Sequence, residues 1–243
     1  MSGDRSVPCP ARPSQVSPWF APMAYKLGGR GILPIFFNRI DVVGAENLPR
    51  RGPVLLAPTH RSRWDSLLVA HVAKEATGRY LRFMVTADEC LGIQGWLIKK
   101  LGGFPVNVRR PAIATLRHGV KLLQQQQMLV IFPEGDIFRD NQVHRLKPGL
   151  ARIALKAQQG IKNHDVNIVP ISLQYDRPCP VWGSRVKIQI GTPLQVSQYR
   201  SIGGPKTQAK QLTADLGTAL ETLSGKASGK VSEKAPEKPI TLV

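Results

Sequence analysis

The sequence is short of three things, and each shortage excludes a class of protein. Acidic residues are scarce. Sixteen Asp plus Glu face 34 Lys plus Arg across 243 residues, a formal net charge of +18. Such a field draws polyanions: nucleic acid, an anionic membrane or an acidic carrier protein. It argues against an ordinary neutral enzyme with a small neutral partner. Cysteine is scarce and odd in number: Cys9, Cys90 and Cys179, with no CxxC and no Cys/His cluster. A disulfide framework or a zinc site is therefore not expected, and a reducing compartment fits. Long apolar runs are missing too. No uncharged stretch reaches the ~18 apolar residues that cross a bilayer. The opening MSGDRSVPCPARPSQ lacks the apolar centre of a secretory signal. The expectation is a chain with no signal peptide and no transmembrane helix, free to lie on a membrane surface.

What is present suffices for a folded core. Hydrophobic residues make up 42% of the chain, too many for a disordered polycation. The length suits one large α/β domain, or at most two small ones. The first 22 residues carry a net +1 and the last 20 a net +2, leaving +15 on residues 23–223. The body, not the tails, is basic. Residues 1–18, rich in Pro and Ser, read as a flexible leader. Residues 224–243, SGKASGKVSEKAPEKPITLV, read as a disordered, solvated tail. The folded domain is expected over 19–223.

Within it, short apolar runs alternate with helical patterns. Strands are predicted at Arg39–Val43, Val54–Ala57, Arg82–Thr86, Phe104–Val108, Met128–Phe132, Asn167–Gln174 and Arg185–Ile190. Trp64, Leu67, Leu68, His71 and Val72 share one helical face. Further helices are predicted over Ile113–Gln127, Lys147–Gln159 and Lys206–Leu223. The alternation predicts a single α/β domain with a largely parallel or mixed sheet flanked by helices. Ahead of it, residues 17–37 form an apolar helical segment broken by Gly28, Gly29, Gly31 and Pro34. Two readings stand for that segment: a cover for the sheet edge, or an amphipathic element dipping into lipid.

Three polar clusters follow three predicted strands. Thr59-His60-Arg61-Ser62-Arg63-Trp64-Asp65 follows Val54–Ala57, Arg109 and Arg110 follow Phe104–Val108, and Pro133-Glu134-Gly135-Asp136 follows Met128–Phe132. In a parallel α/β sheet the carboxyl ends of the strands share one rim, where ligands bind. His60 and Asp65 are five apart and meet only if His60 sits on the turn into a helix and folds back. Asp65 would then orient the imidazole, fix its tautomer and stabilise charge as it forms. No GxSxG elbow surrounds Ser62, so the pair reads as a general base for a substrate hydroxyl. A helix start with a capping Asp is the plain alternative. Glu134 suits either a polyol contact or support of a phosphate-binding Arg. Gly135 permits close approach or an unusual dihedral. Arg109 and Arg110 suit a phosphate clamp, or solvated surface charge.

Together these residues resemble the glycerolipid acyltransferase family, the PlsC-like 1-acylglycerol-3-phosphate acyltransferases. The family's Asn-His-x4-Asp motif reads Thr59-His60 through Asp65. Its Gly-x-x-(Phe/Pro)-(Ile/Val)-x-Arg motif resembles Gly103 through Arg110. Phe-Pro-Glu-Gly matches Phe132-Pro133-Glu134-Gly135. The apolar strand with a Pro is matched by Ile168-Val169-Pro170-Ile171. The resemblance covers roughly residues 38–195. It implies that a fatty acyl chain moves from acyl-CoA or an acidic acyl carrier protein to a lysophospholipid acceptor, making phosphatidic acid. By analogy His60 is the base and Asp65 its partner. Arg109 or Arg110, with Glu134 and Gly135, binds the acceptor's glycerol phosphate, and Pro170 shapes the acyl pocket. The chemistry needs no metal, no cofactor beyond the thioester and no covalent acyl-enzyme.

The departures bear on the acceptor. Thr59 stands for Asn, and Asp136-Ile137-Phe138-Arg139 replaces Thr-Arg-Ser. The second motif carries one extra residue before its Arg. Arg61 and Arg63 are alternative phosphate contacts. Rival readings are a lipid-surface hydrolase and a non-enzymatic basic membrane- or nucleic-acid-binding protein. Nucleic acid is disfavoured because aromatics, at 6%, do not interleave with Lys and Arg. The charge then reads as attraction to an anionic membrane surface, placing the chain peripherally on the cytoplasmic side.

Overall fold

A computed structural model describes residues 16–86, 100–106, 113–225 and 240–242. Arg109 and Arg110 lie outside the described residues, as do Asn107 and Val108. The strands are β1 (Phe37–Val43), β2 (Val54–Pro58), β3 (Leu81–Thr86), β4 (Gly103–Val106), β5 (Met128–Val130), β6 (Asn167–Tyr175), β7 (Ser184–Ile190), β8 (Leu194–Gln195) and β9 (Ile240–Leu242). They form one sheet in the order β4-β3-β5-β2-β6-β7-β1-β9, with β8 beside β6. β4, β3, β5, β2 and β6 are mutually parallel. β7 runs antiparallel to β6, and β1 runs parallel to β7. The sheet is therefore mixed, with its parallel half bearing the polar motifs.

Helices cover both faces. α1 (Phe20–Leu27), a π-helical turn at Gly28–Ile32 and α2 (Leu33–Phe36) form a continuous helical run. α3 is Asp65–Thr77, α4 Ile113–Gln124, α5 Gly149–Gln159 and α6 Pro205–Leu223. Period-two alternation assigns β2 to two cores at once. Val54 and Leu56 pack with Leu68, Val69 and Val72 of α3. Leu55 and Ala57 pack with Leu122 of α4, Ile153 of α5 and Leu216 of α6. Burial on both faces is why this strand reads as an unbroken apolar run.

Pro170 sits inside β6, where proline is normally excluded for lack of a ladder donor. Its carbonyl accepts from Gly191 N–H at 2.9 Å. Its nitrogen therefore faces the gap where β7 has ended at Ile190 and β8 has not yet begun. No donor is needed there.

Both tails depart from their expectations at the ends that are described. Val16 bridges Leu101, and Ser17 N–H donates to the Lys100 carbonyl at 3.0 Å, so the leader ends in contact with the sheet edge. Ile240–Leu242 pairs antiparallel with β1 rather than staying solvated. β1 would otherwise present an unpaired row of backbone groups, which a β-branched segment satisfies well.

Candidate active site

The backbone leaves β2 at Pro58 and turns before α3 begins. Thr59 carries the β2–β6 ladder one step further. Its N–H donates to the Ile171 carbonyl, and its Oγ1 accepts from Leu173 N–H, both at 2.9 Å. His60 follows on the turn. Its Nδ1 lies 2.9 Å from Asp65 Oδ2 in the first turn of α3. The carboxylate can only accept, so Nδ1 carries a proton, and in the neutral ring the lone pair is on Nε2. The geometry expected from the five-residue spacing is the one observed.

Asp65 is buried and fully engaged. Oδ2 also accepts from the N–H groups of Arg61 at 2.6 Å and Ser62 at 2.8 Å. Oδ1 accepts from the Tyr175 hydroxyl at 2.6 Å. Burial, and then the neighbouring carboxylate, hold the Tyr175 phenol far above its ordinary pKa, so it remains a donor. Sequence reasoning missed Tyr175. The usable signal was its place at the carboxyl end of a strand parallel to β2, on the same rim as His60. Phe132 was also missed as a site residue. Its ring stacks on the imidazole at 4.0 Å between centroids. Asp65 orients one edge of His60, and Phe132 supports a face.

Removal of the Tyr175 hydroxyl leaves Asp65 Oδ1 without this donor. Tyr175→Phe should lower kcat roughly tenfold or more, since hydrogen bonds to charged groups are the stronger class. The KM values should stay unchanged, because Tyr175 acts through Asp65. Steady-state kinetics at saturating substrate check this.

Of the two tasks expected of Glu134, the structure shows support of an arginine, and that arginine is Arg61, itself expected as an alternative phosphate contact. Both are buried, and they form a bidentate pair at 2.8 and 3.0 Å. Arg61 also donates to the carbonyls of His60 and Gln142. Glu134 accepts from His60 N–H at 2.8 Å and His144 N–H at 2.9 Å. These bonds occupy both Glu134 oxygens and both terminal nitrogens of Arg61. Neither presents itself to an acceptor headgroup. Instead the pair fastens the His60 turn to the loop after β5, as does the bond from Phe138 N–H to the His60 carbonyl at 2.9 Å.

Gly135 has φ of +73°, and a Cβ there would stand 2.3 Å from Lys147 Nζ. The left-handed φ is what favours glycine, since the flexible end of the Lys147 side chain could move aside. Lys147 thus crosses the Phe-Pro-Glu-Gly turn, a cation that the sequence reading did not single out.

An apolar cavity of about 350 Å³ opens beside His60. Its walls include Tyr25 of α1, Leu67 and Ala70 of α3, and Phe83 of β3. Tyr25 fixes α1 against the sheet, its hydroxyl accepting from Leu81 N–H at 3.3 Å. Exposed Arg63 also lines the cavity. Pro170 does not; it lies in the strand interior described above, so the role expected of it in shaping an acyl pocket is not supported. Among the described residues, no group of three His, Cys, Asp or Glu is placed to hold a metal ion.

A buried carboxylate holds an imidazole at the carboxyl rim of an α/β sheet, beside an apolar cavity, an arrangement suited to general-base chemistry on a substrate with an apolar part. The family model described as Acyltransferase matches residues 39–174, which span this site, and the chain belongs to that family. It is 26% identical over 170 residues to the 1-acyl-sn-glycerol-3-phosphate acyltransferase of Streptococcus pneumoniae, covering 67% of this chain and 58% of that protein. It is 33% identical over 144 residues to the mitochondrial glycerol-3-phosphate acyltransferase 1 of Mus musculus, covering 51% of this chain and 16% of that protein. The chain thus spans little more than half of the bacterial relative and a small part of the mammalian one. Its fold is similar to the crystal structure of the 1-acyl-sn-glycerophosphate acyltransferase PlsC from Thermotoga maritima. The TM-score is 0.62 at 20% identity, over 86% of this chain and 81% of that one.

Proposed function

We propose that this chain transfers a fatty acyl group from a thioester, acyl-CoA or acyl carrier protein, to the free hydroxyl of 1-acylglycerol-3-phosphate, yielding phosphatidic acid. The observation that carries this reading is the His60–Asp65 pair at 2.9 Å beside an apolar cavity. Nε2 of His60 takes the proton of the acceptor hydroxyl as its oxygen attacks the thioester carbonyl. The new C–O bond forms, the C–S bond breaks, and the proton passes to the departing thiolate. The carboxylate of Asp65 stabilises the transient imidazolium. Arg63, at the cavity wall, suits contact with the acceptor phosphate, and the family resemblance implies the same task for Arg109 or Arg110. The test is a mass-spectrometric panel of lysophospholipids with both donor types. Phosphatidic acid formed from lysophosphatidic acid supports the reading. Free fatty acid without acylated product overturns it in favour of a hydrolase.

The reading needs access to lipid. No helix among the described residues is long and apolar enough to cross a membrane. A surface patch suits adhesion instead. Trp19 is 89% exposed and Trp182 70%, with Met23, Leu27 and Ile35 also exposed beside Lys26 and Arg30. Phe36, at the end of α2, contacts the loop that bears Trp182. Its ring lies 6.2 Å from that of Trp182, and its carbonyl accepts from Gly183 N–H. Exposed aromatics beside basic residues suit an anionic interface. Replacing Trp19 and Trp182 together by Ser should cut partition onto anionic vesicles roughly tenfold. Sedimentation with anionic and zwitterionic vesicles, at low and high salt, measures it. Equal binding by the variant would remove the patch from the docking surface.

A further inference from the structure

The cavity beside His60 is apolar except at a few points, and one of them is buried. His71 lines it from α3 and is only 9% exposed. It makes no hydrogen bond to a described residue. Its ring edge instead rests on Gly29 of the π-helical turn, where a Cβ would stand 2.1 Å from Nδ1. Glycine at that position is what lets the imidazole lie against the cavity wall. The ring nitrogens are not among the buried polar atoms left without a partner, so they keep contact with solvent, and an alkyl chain filling the cavity would strip that contact at a cost unless it supplied a partner itself.

The chemistry of that something follows from the surroundings. Leu67, Ala70, Tyr25 and Phe83 share the cavity, so the body of the ligand is alkyl. Burial lowers the His71 pKa, only partly opposed by Glu75, and Arg30 lowers it further. The ring is therefore predominantly neutral and can both donate and accept, which suits a hydroxyl better than a phosphate or carboxylate. His71 lies six residues beyond Asp65, roughly 9 Å along the helix axis, well away from the reacting carbonyl.

We propose that His71 is a specificity-determining residue that hydrogen-bonds an oxygen carried on the acyl chain, so that this cavity prefers hydroxylated fatty acyl groups to plain alkyl ones. The proposal rests on the reading of the cavity as an acyl site. A plain methylene chain packed against His71 would exclude water and leave the ring unpaired. A chain hydroxyl satisfies it. Sites built to bond a substrate hydroxyl discriminate against analogues that lack it.

The experiment compares palmitoyl thioester with palmitoyl thioesters hydroxylated at successive mid-chain positions, using purified full-length protein and lysophosphatidic acid. Equilibrium binding of the matching free acids is measured in parallel. Wild type should favour at least one hydroxylated chain roughly tenfold in both measurements, the scale of one net hydrogen bond. His71→Leu should abolish or invert that preference. His71→Gln, which keeps a donor and an acceptor, should retain part of it and guards against a variant that fails to fold. Equal treatment of hydroxylated and plain chains by wild type overturns the proposal. So does a preference that survives in His71→Leu. Selective binding without acyl transfer would overturn the proposed reaction while upholding the role of His71.

Discussion

His60→Ala should lower acyl transfer by roughly 10²–10⁴-fold, the usual cost of deleting a positioned general base. The fold should survive. Asp65 keeps three donors without the imidazole: the N–H groups of Arg61 and Ser62 and the hydroxyl of Tyr175. The His60 backbone keeps its bonds to Glu134 and Phe138, which do not depend on the ring. The imidazole is itself 18% exposed, so its loss opens toward the cavity mouth and not in the core. Initial rates with lysophosphatidic acid, paired with thermal unfolding and vesicle binding, separate chemistry from stability. Wild-type turnover in the variant would refute the general-base mechanism.

Glu134→Ala should have the largest effect on stability. The substitution strands the Arg61 guanidinium in the interior, where breaking a buried pair costs about 3–5 kcal/mol. It also leaves the N–H groups of His60 and His144 without their acceptor. The expected drop in Tm is on the order of 10 °C for a domain of this size. Activity should fall with it, because the turn that aims His60 loses its anchor. Glu134→Gln should be milder, since it keeps an acceptor oxygen but not the bidentate charge. Differential scanning calorimetry decides between two roles. A carboxylate that contacts the acceptor would raise the acceptor KM at unchanged Tm. A buried anchor lowers Tm with every substrate absent.

The two predictions assign different tasks to neighbouring motif residues. In the proposed reaction His60 and Asp65 act on the acceptor hydroxyl. Arg61 and Glu134, adjacent to them in sequence or across the rim, hold them in place. The basic surface adds a third layer. With +15 on residues 23–223, the charge suits an anionic membrane, a phosphorylated acceptor and an acidic thioester donor together.

Much of the architecture was legible before any coordinates. β2 and β5 are buried on both faces and therefore appear as unbroken apolar runs. α3 shows its inward face as a 3.6-residue period, and proline and glycine mark the turns. The His60–Asp65 pair was legible because both partners lie on one short turn. Local spacing and local geometry coincide there.

The remainder depended on long-range contact. Arg61 and Glu134 are 73 residues apart, and Asp65 and Tyr175 are 110 apart. No local pattern in the sequence records either pairing, since each arises from strands placed side by side by the sheet. Whether a carboxylate touches substrate or anchors an arginine depends on burial and partner geometry, which residue type alone does not encode. The sequence by itself therefore determined the elements, the sheet class and the pairing of His60 with Asp65. Only the tertiary structure decided which polar residues are spent internally, because that turns on what crosses the rim from distant parts of the chain.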